Sequence, residues 1–299
     1  SVRSWGELSR PWIMVSVNDD EDPHFRKAAF DPNLCPADCP RPCEATCPVV
    51  AISKSGVDDK KCYGCGRCLS SCPLQLIHAK NYVRSPQDLV ASLRGSPVDA
   101  LEIHTSGSTR QSFRELWKGR EGESHGIEGW AAGLKLVAVS FPDQEEKLLD
   151  FMQFVSLTLN LPEHVEMLWQ TDGRPMSGDV GHGTARASIV LAQRVLGCQR
   201  EAGLQGGVQL AGGTNDYTAT LLERNELFKS QVTGGKQGVV GAAFGGYARK
   251  LLRDELEALN AMGSSLKLEE HQQLAESASM RALAFVNEFK ATALGAKRS

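Results

Sequence analysis

Eight of the nine cysteines fall between residues 35 and 72, and their spacing suggests a chemistry before any other feature of the chain does. Cys62-x2-Cys65-x2-Cys68-x3-Cys72-Pro73 is the bacterial-type run that ligates a [4Fe-4S] cluster. Three thiolates at that spacing can wrap one face of a cubane, while the fourth, turned away ahead of a proline, reaches a second cluster. A partner run is therefore required. It lies upstream as Cys35-x3-Cys39-x3-Cys43-x3-Cys47-Pro48, with each of its first two gaps one residue longer. Each run has an aspartate four residues before its first cysteine (Asp31, Asp58) and an isoleucine four residues after its proline (Ile52, Ile77). The two read as a degenerate repeat with pseudo-twofold ferredoxin architecture. By the cross-over rule, Cys62, Cys65, Cys68 and Cys47 hold one cluster, and Cys35, Cys39, Cys43 and Cys72 the other. Zinc and disulfides are the competing readings, but repeated Cys-Pro endings and triple-cysteine loops have no purpose in a zinc ribbon. Metal-type spacing also points to a reducing compartment. Cys198, alone in the helical stretch ARASIVLAQRVLGC, reads as a small buried hydrophobe.

The elements that must carry this module alternate in type. Apolar runs at 11–19, 98–105, 134–142, 164–173, 207–215 and 238–246 read as strands. Helical periodicity fills about 110–118, 144–160, 183–197, 217–228, 247–260 and 267–290. Such an order is that of parallel α/β units, and six strands that turn polar at their C-terminal ends predict most of a TIM-barrel-like (β/α)8 domain. The ferredoxin module is then an insertion after the first visible strand. An open doubly wound sheet is the alternative. Expected boundaries are 1–28 for the first strand and linker, 29–84 for the module, 85–262 for the remaining α/β domain and 263–299 for a C-terminal helix and tail.

In such a barrel the functional face lies where the strands end. Those ends present Asn18 and Asp19, His104 and Thr105, Ser140, Gln170, Thr171, Asp172 and Arg174, Asn215 and Asp216, and Arg249. Strand ends are polar in any case, which accounts for part of this ring without chemistry. Asp172, Arg174 and Asp179 crowd one glycine-rich loop, and His104, Asp172 and Arg174 are the candidate catalytic groups. Gly212 and Gly213, then Gly245 and Gly246 with Arg249, could bring backbone N–H groups to a phosphate or a phosphate-bearing cofactor such as flavin. The same glycine pairs also make tight turns. His24 reads as a surface residue, His182 as part of a capping loop, and the acidic run 19–22 as mostly solvated.

With 23% charged residues and a formal net charge of -3, the chain carries no basic field that would argue for nucleic acid. Its longest apolar runs are strand-sized, short of a bilayer span, so no transmembrane segment is expected. No secretory signal is visible in the sequence.

Together, PWIMVSVNDDEDPHFRKAAFDPNLCPADCPRPCEATCP, the cysteine repeat, DALEIHT, LKLVAVSFPD, WQTDGRPMSGD, QLAGGTND and GGYARKLL resemble the LdpA (light-dependent period) family of cyanobacteria and plastids, over about residues 10–255. That resemblance implies an iron–sulfur protein in the redox input to the circadian clock, sensing the photosynthetic electron pool, in a cyanobacterial cytoplasm or chloroplast stroma. Family members carry an N-terminal stretch with two further βα units ahead of the PWIMVS strand. Three functions remain open at this stage. The first is redox sensing or electron transfer to a protein partner, fed by quinone or ferredoxin. The second is an oxidoreductase with a flavin or phosphate ligand on the barrel face, and the third is a scaffold with structural clusters.

Overall fold

A computed structural model describes residues 10–20, 26–62, 64, 66–81, 85–105, 109–122, 125–173, 181–228, 238–262 and 267–293. Cys65, Arg174, Asp179 and His24 lie outside the described residues. Strands form at β1 (Met14–Asn18), β2 (Arg26–Ala29), β3 (Ile52–Ser53), β4 (Gly56–Val57), β5 (His78–Asn81), β6 (Ala100–His104), β7 (Leu136–Phe141), β8 (Glu166–Asp172), β9 (Gly207–Ala211) and β10 (Val239–Ala242). Helices form at α1 (Pro42–Thr46), α2 (Arg67–Ser71), α3 (Pro86–Leu93), α4 (Arg110–Lys118), α5 (Glu128–Ala131), α6 (Leu148–Leu159), α7 (Ala185–Ala202), α8 (Thr218–Arg224), α9 (Gly246–Leu251), α10 (Arg253–Met262) and α11 (Gln272–Ala293).

The chain divides into two compact units. One comprises Ser1–Val15, Pro97–Ile103 and Ala131–Ser299, and the other Ser16–Ser96 with His104–Trp130. The large sheet has the order β1-β6-β7-β8-β9-β10, so each strand lies beside its predecessor in the α/β series. A doubly wound sheet reverses direction at a switch point; this one does not. The sequential order is that of a (β/α) barrel, yet among the described residues no pairing joins β1 to β10, and a closed barrel is not seen.

The central strands read as near-continuous apolar runs because both of their faces are covered. In β7 and β8, period-two alternation sends Val139, Phe141, Trp169 and Thr171 to one side. There Phe141 meets Phe151 of α6 at 5.2 Å between ring centroids and Trp169 at 6.2 Å. Helix α6 is amphipathic at helical spacing, burying Leu148, Phe151, Met152, Val155 and Leu159. Its neighbour α7 packs on β8 and β9 and ends at the left-handed Gly203. The base of the sheet is tied by Asp99, whose carboxylate accepts from the Ile13 N–H at 2.9 Å and pairs with Arg10 at 2.7 Å and Lys135 at 2.8 Å. Lys135, the Ile13 amide and Arg10 together hold its pKa down at about 2, against the cost of burial.

Candidate functional site: the cysteine module

Where both are described, the two cysteine runs fold alike. Helix α1 carries Cys43 and ends at Cys47, and α2 carries Cys68 and ends at Cys72. The residue before each helix, Arg41 or Gly66, is left-handed, with φ of 52° and 73°. Cys47 and Cys72 share the same backbone conformation, φ -80° and ψ 112°. Three residues later Val50 and Gln75 are again both left-handed, at 49° and 53°. A β-branched residue rarely tolerates φ above zero, so Val50 is held there by its surroundings.

The aspartates ahead of each run have matching work. Asp31 Oδ1 accepts from the N–H of Asn33 at 2.9 Å, and Asp58 Oδ1 accepts from the N–H of Lys60 at 2.9 Å. Each is an Asx turn, a side chain satisfying the backbone two residues on, and it launches the chain toward Cys35 or Cys62. The isoleucines after each Cys-Pro meet beneath the helices. Ile52, Ile77, Ala28 and Cys68 form a buried core, with Phe30, Val57, Leu69 and the thiols of Cys43, Cys47, Cys62 and Cys72 packed on it.

Cys35, Cys39, Cys43 and Cys72 line one pocket, with walls of Phe30, Pro42, Leu74, Leu76 and Ile77. Three thiols of the upstream run therefore line a pocket with the last thiol of the downstream run, and among the described residues with no other cysteine of that run. Among the described residues no three His, Cys, Asp or Glu side chains gather tightly enough for a single metal ion. An apolar pocket walled by four thiols has the donor set of an iron–sulfur group. With Cys65 undescribed, the matching set around Cys62 and Cys68 is defined only in part.

Electrostatics separates these thiols. Burial pushes Cys35 up, helped by the neighbouring Cys39, and burial likewise pushes Cys43 up. Burial also works against a thiolate at Cys47, but the N–H groups of Ala51, Val49, Ile52 and Val50 outweigh it and hold that thiol below its usual value. The Ala51 N–H reaches its sulfur at 3.2 Å. Cys72 is lowered in the same way, against burial, by the N–H groups of Leu76, Leu74, Ile77 and Gln75. Left-handed Val50 and Gln75 curl these amides around the sulfur, a backbone nest for negative charge.

The strand-end residues divide between the two units. In one, Asn18, Asp19 and Asp20 line a pocket with Ser85, Gln87, Glu115 and Arg120. Asp19 is not the solvated residue its acidic run suggests. Burial lifts its pKa to about 6 although Thr105 hydrogen-bonds it; Asp20 adds to the rise and His104 opposes it. In the other unit, Ser140, Gln170 and Gln209 stand in one row across β7, β8 and β9. The Gln170 Nε2 donates to Gln209 Oε1 at 3.1 Å, leaving Gln170 Oε1 buried without a donor. Asp172 is buried on that same face, while Thr171 points the other way and donates to the Gln209 carbonyl at 3.3 Å.

The glycine loop after β9 packs closely on the start of α7. Gly212 and Gly213 are left-handed, and a Cβ on Gly213 would lie 2.8 Å from the Thr184 carbonyl oxygen. Ser188 donates to the Ala211 and Gly212 carbonyls, Thr184 to Gly213, and Asn215 Nδ2 to Gly181 at 2.6 Å. That network ties the end of β9 to the start of α7. Gly245 precedes and Gly246 opens the short α9, on which Arg249 is exposed. His182 stacks on Tyr217 and lies 3.4 Å from Asp216. Cys198 is half-buried on α7, its thiol pushed up by burial.

The ribbon that braces the module, β2 with β5, was not read from the sequence. Its signal is the short alternation in RKAAF before Asp31 and in HAKN after Ile77.

Residues 35–83 match the family described as LdpA Fe-S cluster-binding domain, and residues 92–288 match the one described as Light dependent period A C-terminal domain. A curated relative, Light dependent period A of Synechococcus elongatus (strain ATCC 33912 / PCC 7942 / FACHB-805), is 42% identical over 290 residues, covering 97% of this chain and 77% of the relative. No solved structure matches the chain.

Proposed function

Since the chain belongs to the light-dependent period A family and carries its iron–sulfur-binding domain, we propose that it is a redox sensor that reports electron supply to a protein partner in light-dependent period control. The reading places two [4Fe-4S] clusters in the module, held by Cys35, Cys39, Cys43 and Cys72, and by Cys62, Cys65, Cys68 and Cys47. The observation that supports it most is the four-thiol pocket, in which the last cysteine of one run joins three from the other. When bound, such a group supplies a reversible one-electron store whose potential follows hydrogen bonding and exposure.

The chain's own residues set those conditions. The amides behind Cys47 and Cys72 stabilise negative charge on the sulfurs, and Phe30, Leu76 and Ile77 give the thiol pocket an apolar lining. A change of charge in the module alters the field at its surface and hence the affinity for a partner, which is the coupling a sensor needs. A cyanobacterial or plastid compartment, with quinone or ferredoxin as the electron source, is the setting this reading implies.

Single Cys→Ser variants compared by EPR under anaerobic reduction test the crossed arrangement. Cys72→Ser is expected to leave the same residual spectrum as Cys43→Ser, and Cys47→Ser the same as Cys68→Ser. If Cys72→Ser instead matches Cys68→Ser, the crossed assignment is wrong. One observation favours a second reading, an oxidoreductase that holds a flavin: the buried Gln170 Oε1 lacks a donor, which a ring N–H of a flavin would supply and a phosphate would not. Resolved yellow absorbance, with fluorescence released on denaturation, distinguishes it.

A further inference from the structure

The ribbon formed by β2 and β5 carries an arrangement that stability alone disfavours. Its register sets Lys27 directly opposite Lys80 and Ala29 opposite His78. Directly opposed side chains lie close on one face, and like charges so placed are destabilising. Ala28, pointing the other way, is buried in the core with Ile52, Ile77 and Cys68. Lys27, Lys80 and His78 therefore share the outward face, where Lys80 and His78 are exposed. The Lys27 ammonium donates to the Asp59 carbonyl, which brings the exposed turn at 58–61 beside the ribbon, two carboxylates and two lysines of no net charge, with Lys61 4.0 Å from Asp58.

The ribbon also touches both cysteine loops. β2 runs into Phe30 and β5 follows Ile77, and both residues line the four-thiol pocket. On the downstream loop, Gly64 sits so close to β2 that a Cβ there would fall 1.9 Å from the Arg26 carbonyl oxygen. A protein docked on the outward face is thus one short ribbon away from the thiols of both runs. In a chain of net charge -3, the opposed Lys27 and Lys80 on the ribbon's outward face select an acidic surface.

We infer that the outward face of the β2–β5 ribbon, centred on Lys27, Lys80 and His78, is the docking surface for a small acidic electron-transfer protein. This rests on the redox reading above and names the partner's chemistry. Steering by opposite charge gives such an encounter its speed and its salt dependence.

The test uses anaerobically purified holoprotein and a plant-type [2Fe-2S] ferredoxin as the acidic probe, with binding followed by calorimetry at low and high salt. Binding is expected to weaken as salt rises, and by about tenfold in Lys80→Glu. Lys80→Thr removes the like-charge opposition, so it should weaken binding while leaving the Tm unchanged or higher, which a purely structural lysine would not do. Lys250→Glu, on α9, should bind as the unaltered protein does. The inference is overturned if the unaltered protein does not bind the probe, if Lys80→Glu binds it equally well, or if basic cytochrome c binds in its place. Iron and sulfide content, measured on each variant, separates the two claims. Full content with unaltered binding in Lys80→Glu removes the docking surface alone, whereas protein that holds no iron removes the redox reading beneath it.

Discussion

Asp19 shows how much one side chain's surroundings matter. Burial beneath the Asn18–Asp20 corner, with Asp20 alongside, raises its folded pKa from 3.8 to about 6, despite the Thr105 hydrogen bond and nearby His104. An acid whose folded pKa is raised binds its proton more tightly in the native state, so folding loses stability as pH climbs from about 4 to about 6. Above that window the ionised carboxylate costs up to about 3 kcal/mol, at 1.36 kcal/mol per pKa unit. Asp19→Asn should therefore stabilise the protein at pH 7 and make little difference at pH 4, read as Tm against pH for both proteins. Equal gains at both pH values would mean that Asp19 is ionised throughout. Asp99 is its opposite, since the groups that pin it favour the charged form and its contribution is lost as pH falls from 3.8 toward about 2. The acidic run says nothing of this difference, because burial is decided by elements distant in sequence. Asp31 and Asp58, by contrast, stand out in the sequence, and their shared offset from the first cysteine reflects the Asx turn each one makes.

At the scale of elements, the strands were the most readable feature. Each of the six expected in the α/β series forms inside its window, and the helix expected at 110–118 forms at Arg110–Lys118, because apolar periodicity reports which face is covered. Barrel closure was not readable, since it depends on hydrogen bonds between strand edges that no local pattern encodes. The expected helix over 247–260 is two, α9 and α10. Gly213, in one of the loops that suggest a phosphate cradle, permits close approach of α7 to the end of β9, a contact visible only once Thr184 and Gly213 are placed side by side. The C-terminal hairpin of α10 and α11 is held by one buried acid. Glu255 accepts from Ser277 at 2.6 Å and pairs with Arg281 at 2.9 Å, while Arg281 also reaches Asp254 at 2.8 Å. Ser277 and Arg281 keep this carboxyl below its usual pKa despite burial. Arg281→Ala leaves that buried carboxylate without its half-exposed cation, which is destabilising though less so than in a fully buried pair. A Tm lower by several degrees, with faster amide exchange in α11 than in α7, is expected; unchanged exchange in α11 would mean that its aromatic contacts, Phe285 and Phe289 on Phe244, suffice to hold it.

For the molecule as a whole, the sequence and the structure converge on a parallel α/β sheet paired with a thiol-rich module, in a chain with no helix, among the described residues, long and apolar enough to cross a membrane. The family and the iron–sulfur reading could be seen in the cysteine spacing because ligation imposes rigid geometry on few residues. The proposed docking face was less visible, because the β2–β5 ribbon is assembled from segments on both sides of the cysteines. Everything proposed depends on the module holding two clusters. Iron and acid-labile sulfide, quantified per chain in protein purified without oxygen, test that most directly. The account predicts about eight of each, as two [4Fe-4S] groups require, and zinc in their place, or about four of each, would contradict it.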